Sequence, residues 1–104
     1  MHARLARYTF SGDAQELIRR VEDGMLPILK AQPGFRAYSV IESDDEIFSF
    51  SGWDSADQAE AANVTIASWV AENMAGDIQL TEARFGEVLL STTLGISTKA
   101  GAAA

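Results

Sequence analysis

Cysteine is absent from this chain, which excludes disulfides, thiolate nucleophiles and thiolate metal ligands together. Histidine occurs once, at His2, so no imidazole cluster can form, and a ring so near the chain end is more readily solvated than catalytic. No apolar run approaches the ~20 residues of a membrane span, and Met1-His2-Ala3-Arg4 leads into alternating sequence instead of a signal-peptide apolar region. Basic residues are scarce: eight Lys and Arg face fifteen Asp and Glu, a formal charge of −7 whose field repels phosphate backbones and anionic lipid. The expectations are a cytoplasmic protein with neither nucleic acid nor membrane as partner.

What is present suits one small domain. At 104 residues, 47% of them apolar, the chain can fill a single modest core, and a second would be starved. Residues 2–10 alternate as a strand and end at the turn and cap residues Ser11-Gly12-Asp13. A helix capped by Ser11 or Asp13, with Glu16 as capping-box partner, carries Leu17, Ile18, Val21, Leu26 and Leu29 at helical spacing. Pro27 lacks a backbone donor and clashes with the carbonyl of Asp23, which predicts a bend or restart near Gly24. Pro33-Gly34 stops that helix. Strands follow from Phe35 to about Glu42 and from about Glu46 to Trp53, joined at Asp44-Asp45; the acidic run Glu42–Glu46 reads as a solvated hairpin tip, not a metal loop. Ser55, with Gln58, caps a second helix reaching about Met74, and Thr81–Leu90 reads as the last strand. The order β-α-β-β-α-β is that of an α+β, ferredoxin-like antiparallel sheet over residues 1–92. Residues 93–104 read as a small-residue tail able to add a strand to a partner subunit.

A two-residue turn at Asp44-Asp45 sets Ile41 opposite Phe48, Ser39 opposite Phe50 and Ala37 opposite Gly52. Phe35, Ala37, Ile41, Phe48 and Phe50 then share the more apolar face, expected under the helices. Arg36, Tyr38, Val40, Ile47, Ser49, Ser51 and Trp53 share the other, too apolar for solvent and expected to form a homodimer interface that Val40→Asp would split.

Gln32-Pro33-Gly34-Phe35 before the second strand and Trp53-Asp54-Ser55 before the second helix resemble the antibiotic biosynthesis monooxygenase-like family, over roughly residues 2–90. The resemblance implies a dimeric α+β barrel, two ferredoxin-like sheets packed face to face. It further implies a cofactor-independent monooxygenase acting on a small aromatic molecule of phenol, quinol or anthrone type, with no cofactor and no metal. Relatives that degrade haem use a first-strand Asn and a His beyond the helical Trp; neither is present here, which argues against that activity. By position, Asn63, Trp69 and Arg84 are the implied catalytic counterparts, and Tyr8, Arg7, Ile66 and Phe50 the substrate contacts.

Read as residues alone, the same positions keep plainer alternatives. Asn63 lies on the inner side of an Ala-rich helix, where an amide either bonds a backbone carbonyl or faces a ligand. Trp69 serves a core as well as a pocket wall. Arg7 and Arg84 can form ion pairs, and Tyr8 and Tyr38 can donate to a substrate oxygen or equally anchor an interface. The absence of any strong acid/base pair leaves a non-catalytic binding module as the rival class.

Overall fold

The computed structural model describes residues 1–97. Strand β1 (His2–Phe10) is followed by helix α1 (Ala14–Arg20), a π-helical segment (Val21–Met25) and helix α2 (Leu26–Lys30). Strands β2 (Phe35–Ser43) and β3 (Glu46–Trp53), helix α3 (Ala56–Asn73) and strand β4 (Ile78–Glu87) complete the order. The sheet is antiparallel throughout, in the order β2-β3-β1-β4, and the ferredoxin-like α+β arrangement is observed.

Local chemistry explains most boundaries. Asp13 caps α1 by accepting from the Gln15 amide at 3.1 Å, while Glu16 pairs with Arg19 at 3.2 Å and not with the cap. The expected restart near Gly24 takes the form of the π-helical segment, after which Pro27 sits in the first turn of α2, the helical position that tolerates proline best. Ser55 caps α3 as expected, accepting from the Gln58 amide at 3.3 Å. The hairpin register is the expected one, with Asp44 at φ 54° in the turn.

Strand β4 lies three residues earlier than the sequence suggested. Ile78 packs with Leu17, Ile47 and Met74, and the Asp77 carbonyl accepts from Ser11, so the strand starts where it anchors. It ends at Glu87 because its partner β1 runs out, the Val88 amide donating to the Met1 carbonyl.

The two faces of the sheet are the reverse of those expected. Ile47, Ser49, Ser51 and Trp53 are buried under the helices with Val40 and Tyr38, whereas Ile41 and Phe48 are exposed on the opposite face with Leu5. A bulge at Arg36 also breaks the alternation, so Phe35 meets Trp53 edge-on at 5.6 Å under the helices instead of joining Ala37. The helices bring Leu17, Met25, Leu29, Trp69 and Met74 with them, and small sheet residues opposite make room for these. Val40→Asp would therefore place a charge inside the core, not in an interface.

The tail turns back on its own chain. Ser91 and Ile96 exchange backbone hydrogen bonds at 2.7 and 2.8 Å, and Leu94 lies over Gly52 and Phe50 on the open face. The portion of the expected partner-contacting tail beyond residue 97 lies outside the described residues.

Candidate functional site

Small residues on both sides of the helix–sheet boundary leave a gap. Ser49 and Ser51 floor it from the sheet, and Ala59 and Ala62 face them from α3. The result is a mainly apolar cavity of about 60 Å³, walled by Val21, Met25, Leu29, Ile66 and Val70. Engineered cavities that take up benzene are nearer ~150 Å³, so a ring enters this one only when side chains move.

The polar groups of the cavity converge from three strands and one helix. Arg4 on β1 lies beside Ser51 on β3, which lies beside Tyr38 on β2, a single cross-strand row. Tyr8 follows two pleat repeats further along β1, and its hydroxyl accepts from Arg4 Nη1 at 3.2 Å. Asn63 reaches in from α3, and among the described residues its side-chain amide has no hydrogen-bond partner. Ser51 Oγ is already engaged, accepting from the Trp53 indole at 2.9 Å.

Arg4 is the residue that sets this place apart. Its Nε is buried with no hydrogen-bond acceptor. Among the described residues it has no carboxylate partner, although the chain is strongly acidic and Arg7, Arg19, Arg20, Arg36 and Arg84 each have one. A buried donor left unbonded costs ~1–3 kcal/mol, so this guanidinium is stabilised by little of what surrounds it. Burial pushes the Tyr38 hydroxyl up to about 12, with neighbouring Tyr8 acting the same way and Arg4 opposing. Tyr38 is thus a hydroxyl donor at neutral pH and not a base. Among the described residues the cavity is lined by no carboxylate and no imidazole.

The structure brings together three of the positions singled out from sequence, Tyr8, Asn63 and Ile66. It does not bring the others there. Trp69 packs across both core clusters with its ring against Gly24, where a Cβ would lie 2.6 Å from Cζ2. Arg7 is held on the open side of the sheet by Glu46 at 3.3 Å and by Thr81. Arg84 is exposed and pairs with Glu82 at 2.8 Å, and Phe50 lies on the open face beneath Leu94. Tyr38, which the sequence offers as a possible donor but not among the site positions, joins Tyr8, Asn63 and Ile66 there, and Arg4 is the member that the sequence reading misses. The available signal was alternation: Arg4 and Tyr8 are four apart on one strand and share a face, with apolar Ala3, Leu5 and Ala6 between and beside them.

The fold is that of antibiotic biosynthesis monooxygenase-like proteins. No family model matches the sequence, and no curated protein matches it. Among solved structures, a putative antibiotic biosynthesis monooxygenase from Chloroflexus aurantiacus J-10-fl is similar, with a TM-score of 0.67 at 15% identity over 90% of this chain and 98% of that one. SnoaB, a cofactor-independent oxygenase from Streptomyces nogalater, gives 0.67 at 15% identity over 88% and 95%. HapK from Hahella chejuensis gives 0.73 at 11% identity over 88% and 95%. At these identities the likeness is one of fold. Among the described residues no helix is long and apolar enough to cross a membrane.

Proposed function

We propose that this chain is a cofactor-independent monooxygenase of the cytoplasm, acting as a homodimer on a small aromatic of phenol, quinol or anthrone type. The observation that carries this reading is the Arg4 guanidinium, unpaired inside an apolar cavity beside the hydroxyls of Tyr8 and Tyr38 and the amide of Asn63. The fold shared with SnoaB supports it.

The chemistry asks little of such a site. Removing the proton of a phenol or anthrone leaves an anion rich enough to give an electron to dioxygen, and the two radicals join as a peroxide at carbon. Loss of the remaining hydrogen on that carbon, with water as leaving group, leaves a quinone. One oxygen atom enters the product and the other leaves as water, so the substrate supplies every electron. The positive charge of Arg4 favours the substrate anion in a medium of low dielectric, and Tyr38 and Asn63 supply donors to the oxyanion. With no base among the described lining residues, the proton leaves to solvent, and the rate follows the substrate's own ionisation. That same lack favours the second reading, a module that binds aromatics without oxidising them.

The dimer is proposed on the open face, where Leu5, Ile41 and Phe48 are 54%, 60% and 37% exposed. Arg7 and Arg84 on that side are already neutralised within the chain.

Oxygen uptake with hydroquinone and anthrone tests the reaction. Turnover above autoxidation is expected, falling about 100-fold in Arg4→Met and in Asn63→Ala, the order of loss when one oxyanion donor is removed. Uptake equal to that without protein, alongside saturable binding of the same compounds, would establish the binding module instead.

A further inference from the structure

We propose that the cavity selects aromatics that carry a carboxylate, with Arg4 as the residue that receives it. The inference rests on the small-aromatic reading of this site and adds to the ionisable ring hydroxyl a second, permanent anionic group, which Arg4 binds directly while its charge still favours the ring anion through space.

The argument begins with the geometry of one side chain. A guanidinium offers a carboxylate two parallel N–H bonds along its Nε and Nη2 edge, a match that a lone phenolate oxygen meets only in part. In Arg4 that edge is the unused one: Nη1 donates to the Tyr8 hydroxyl at 3.2 Å, and among the described residues neither Nε nor Nη2 donates to a protein acceptor. Nε is fully buried, so its bond can be completed only by a group that enters the cavity.

The surroundings decide what that group is attached to. The cross-strand neighbour Ser51 is taken by the Trp53 indole, and the walls beyond are Val21, Met25 and Ile66. A carboxylate at Arg4 therefore continues into an apolar space, which, once side chains move to admit a ring, suits an aryl group better than a sugar or an amino acid. The remaining donors lining the cavity, Tyr38 and Asn63, are the groups available to a ring hydroxyl. Contrast across the chain supports the assignment, because each of the other arginines among the described residues already holds a carboxylate of this protein. Arg4 is the one left for a carboxylate from outside.

Binding, not turnover, is the test. Calorimetric titration of the full chain at neutral pH compares 4-hydroxybenzoate with its methyl ester, which removes only the charge, and with benzoate, which removes only the hydroxyl. A fourth arm uses 4-nitrophenolate above its own ionisation. Both carboxylates are expected to bind at least tenfold more tightly than the ester and the phenolate, and Arg4→Met should reduce them to the ester's level. In the wild-type protein, the Arg4 Nε–H proton resonance should move downfield on adding benzoate and stay in place with the ester, a readout that does not depend on the variant folding. Equal affinity for acid and ester, tighter binding of the phenolate, an unmoved Nε–H signal or no binding by any arm would each overturn the proposal. Tight carboxylate binding without oxygen uptake would leave it standing and remove the oxygenase reading; turnover of neutral phenols without any preference for the acid would do the reverse.

Discussion

At the scale of single residues, Arg4 and Tyr38 show how a sheet can hold polar groups in an apolar setting without completing their hydrogen bonds. Tyr38 has a hydroxyl held up to about 12 by burial, so its folded form keeps the proton more tightly than an unfolded tyrosine near 10. The contribution is fully present below pH 10 and is lost as pH rises through about 12, because the unfolded chain releases its proton first. Tyr38→Phe should therefore flatten the alkaline limb of a denaturant-derived stability curve by on the order of 2 kcal/mol between those limits. A variant that loses stability over that range as fast as wild type would show that Tyr38 does not titrate there. None of this was legible from a tyrosine in an alternating strand. Its burial depends on α2 lying over β2 and on α3 lying over β1 and β3, and the unpaired state of Arg4 depends on where the carboxylates of the described residues end up.

Among the secondary-structure elements, the parts with strong local signals were legible and those with non-local causes were not. Ser55, Asp13, Pro33-Gly34 and the Asp44-Asp45 turn act within a few residues, and each does what its chemistry requires. The bulges at Arg36 and between Arg7 and Tyr8 are settled by the partner strand, and the first of them moves Phe35 across the sheet. The π-helical segment has a purpose in packing: Gly24 leaves room for the Trp69 ring, 2.6 Å from where a Cβ would stand. Gly24→Ala should accordingly cost about 1–3 kcal/mol through overpacking, despite the better helix propensity of alanine. Urea unfolding followed by tryptophan fluorescence measures it, and a stabilised variant would mean that the segment yields freely. At the start of α3, Ser55→Ala should cost about 1 kcal/mol in the same assay, as one capping bond is lost.

For the whole molecule, the decisive feature is which sheet face the helices cover. Both faces carry apolar residues, so hydrophobicity alone favoured the Phe48 and Phe50 side, whereas the handedness of β-α-β crossovers fixes the side regardless of which is greasier. The consequence is testable in solution. Sedimentation should give twice the 11.2 kDa chain mass, and Phe48→Asp should return a folded monomer, while Val40→Asp should unfold the chain because Val40 packs with Leu17, Ile47 and Met74. A folded Val40→Asp protein of altered mass, with Phe48→Asp unchanged, would reverse the assignment. The sequence by itself determined the order of elements, the hairpin register and the family of folds to expect, because caps, turns and period-two or helical spacing are short-range and survive in a linear reading. Only the tertiary structure decided which face became the core, which of Tyr8, Asn63, Trp69 and Arg84 meet at one cavity, and that Arg4 stands there without a carboxylate. Those outcomes depend on contacts between residues far apart in the chain, where the choice of one neighbour removes another.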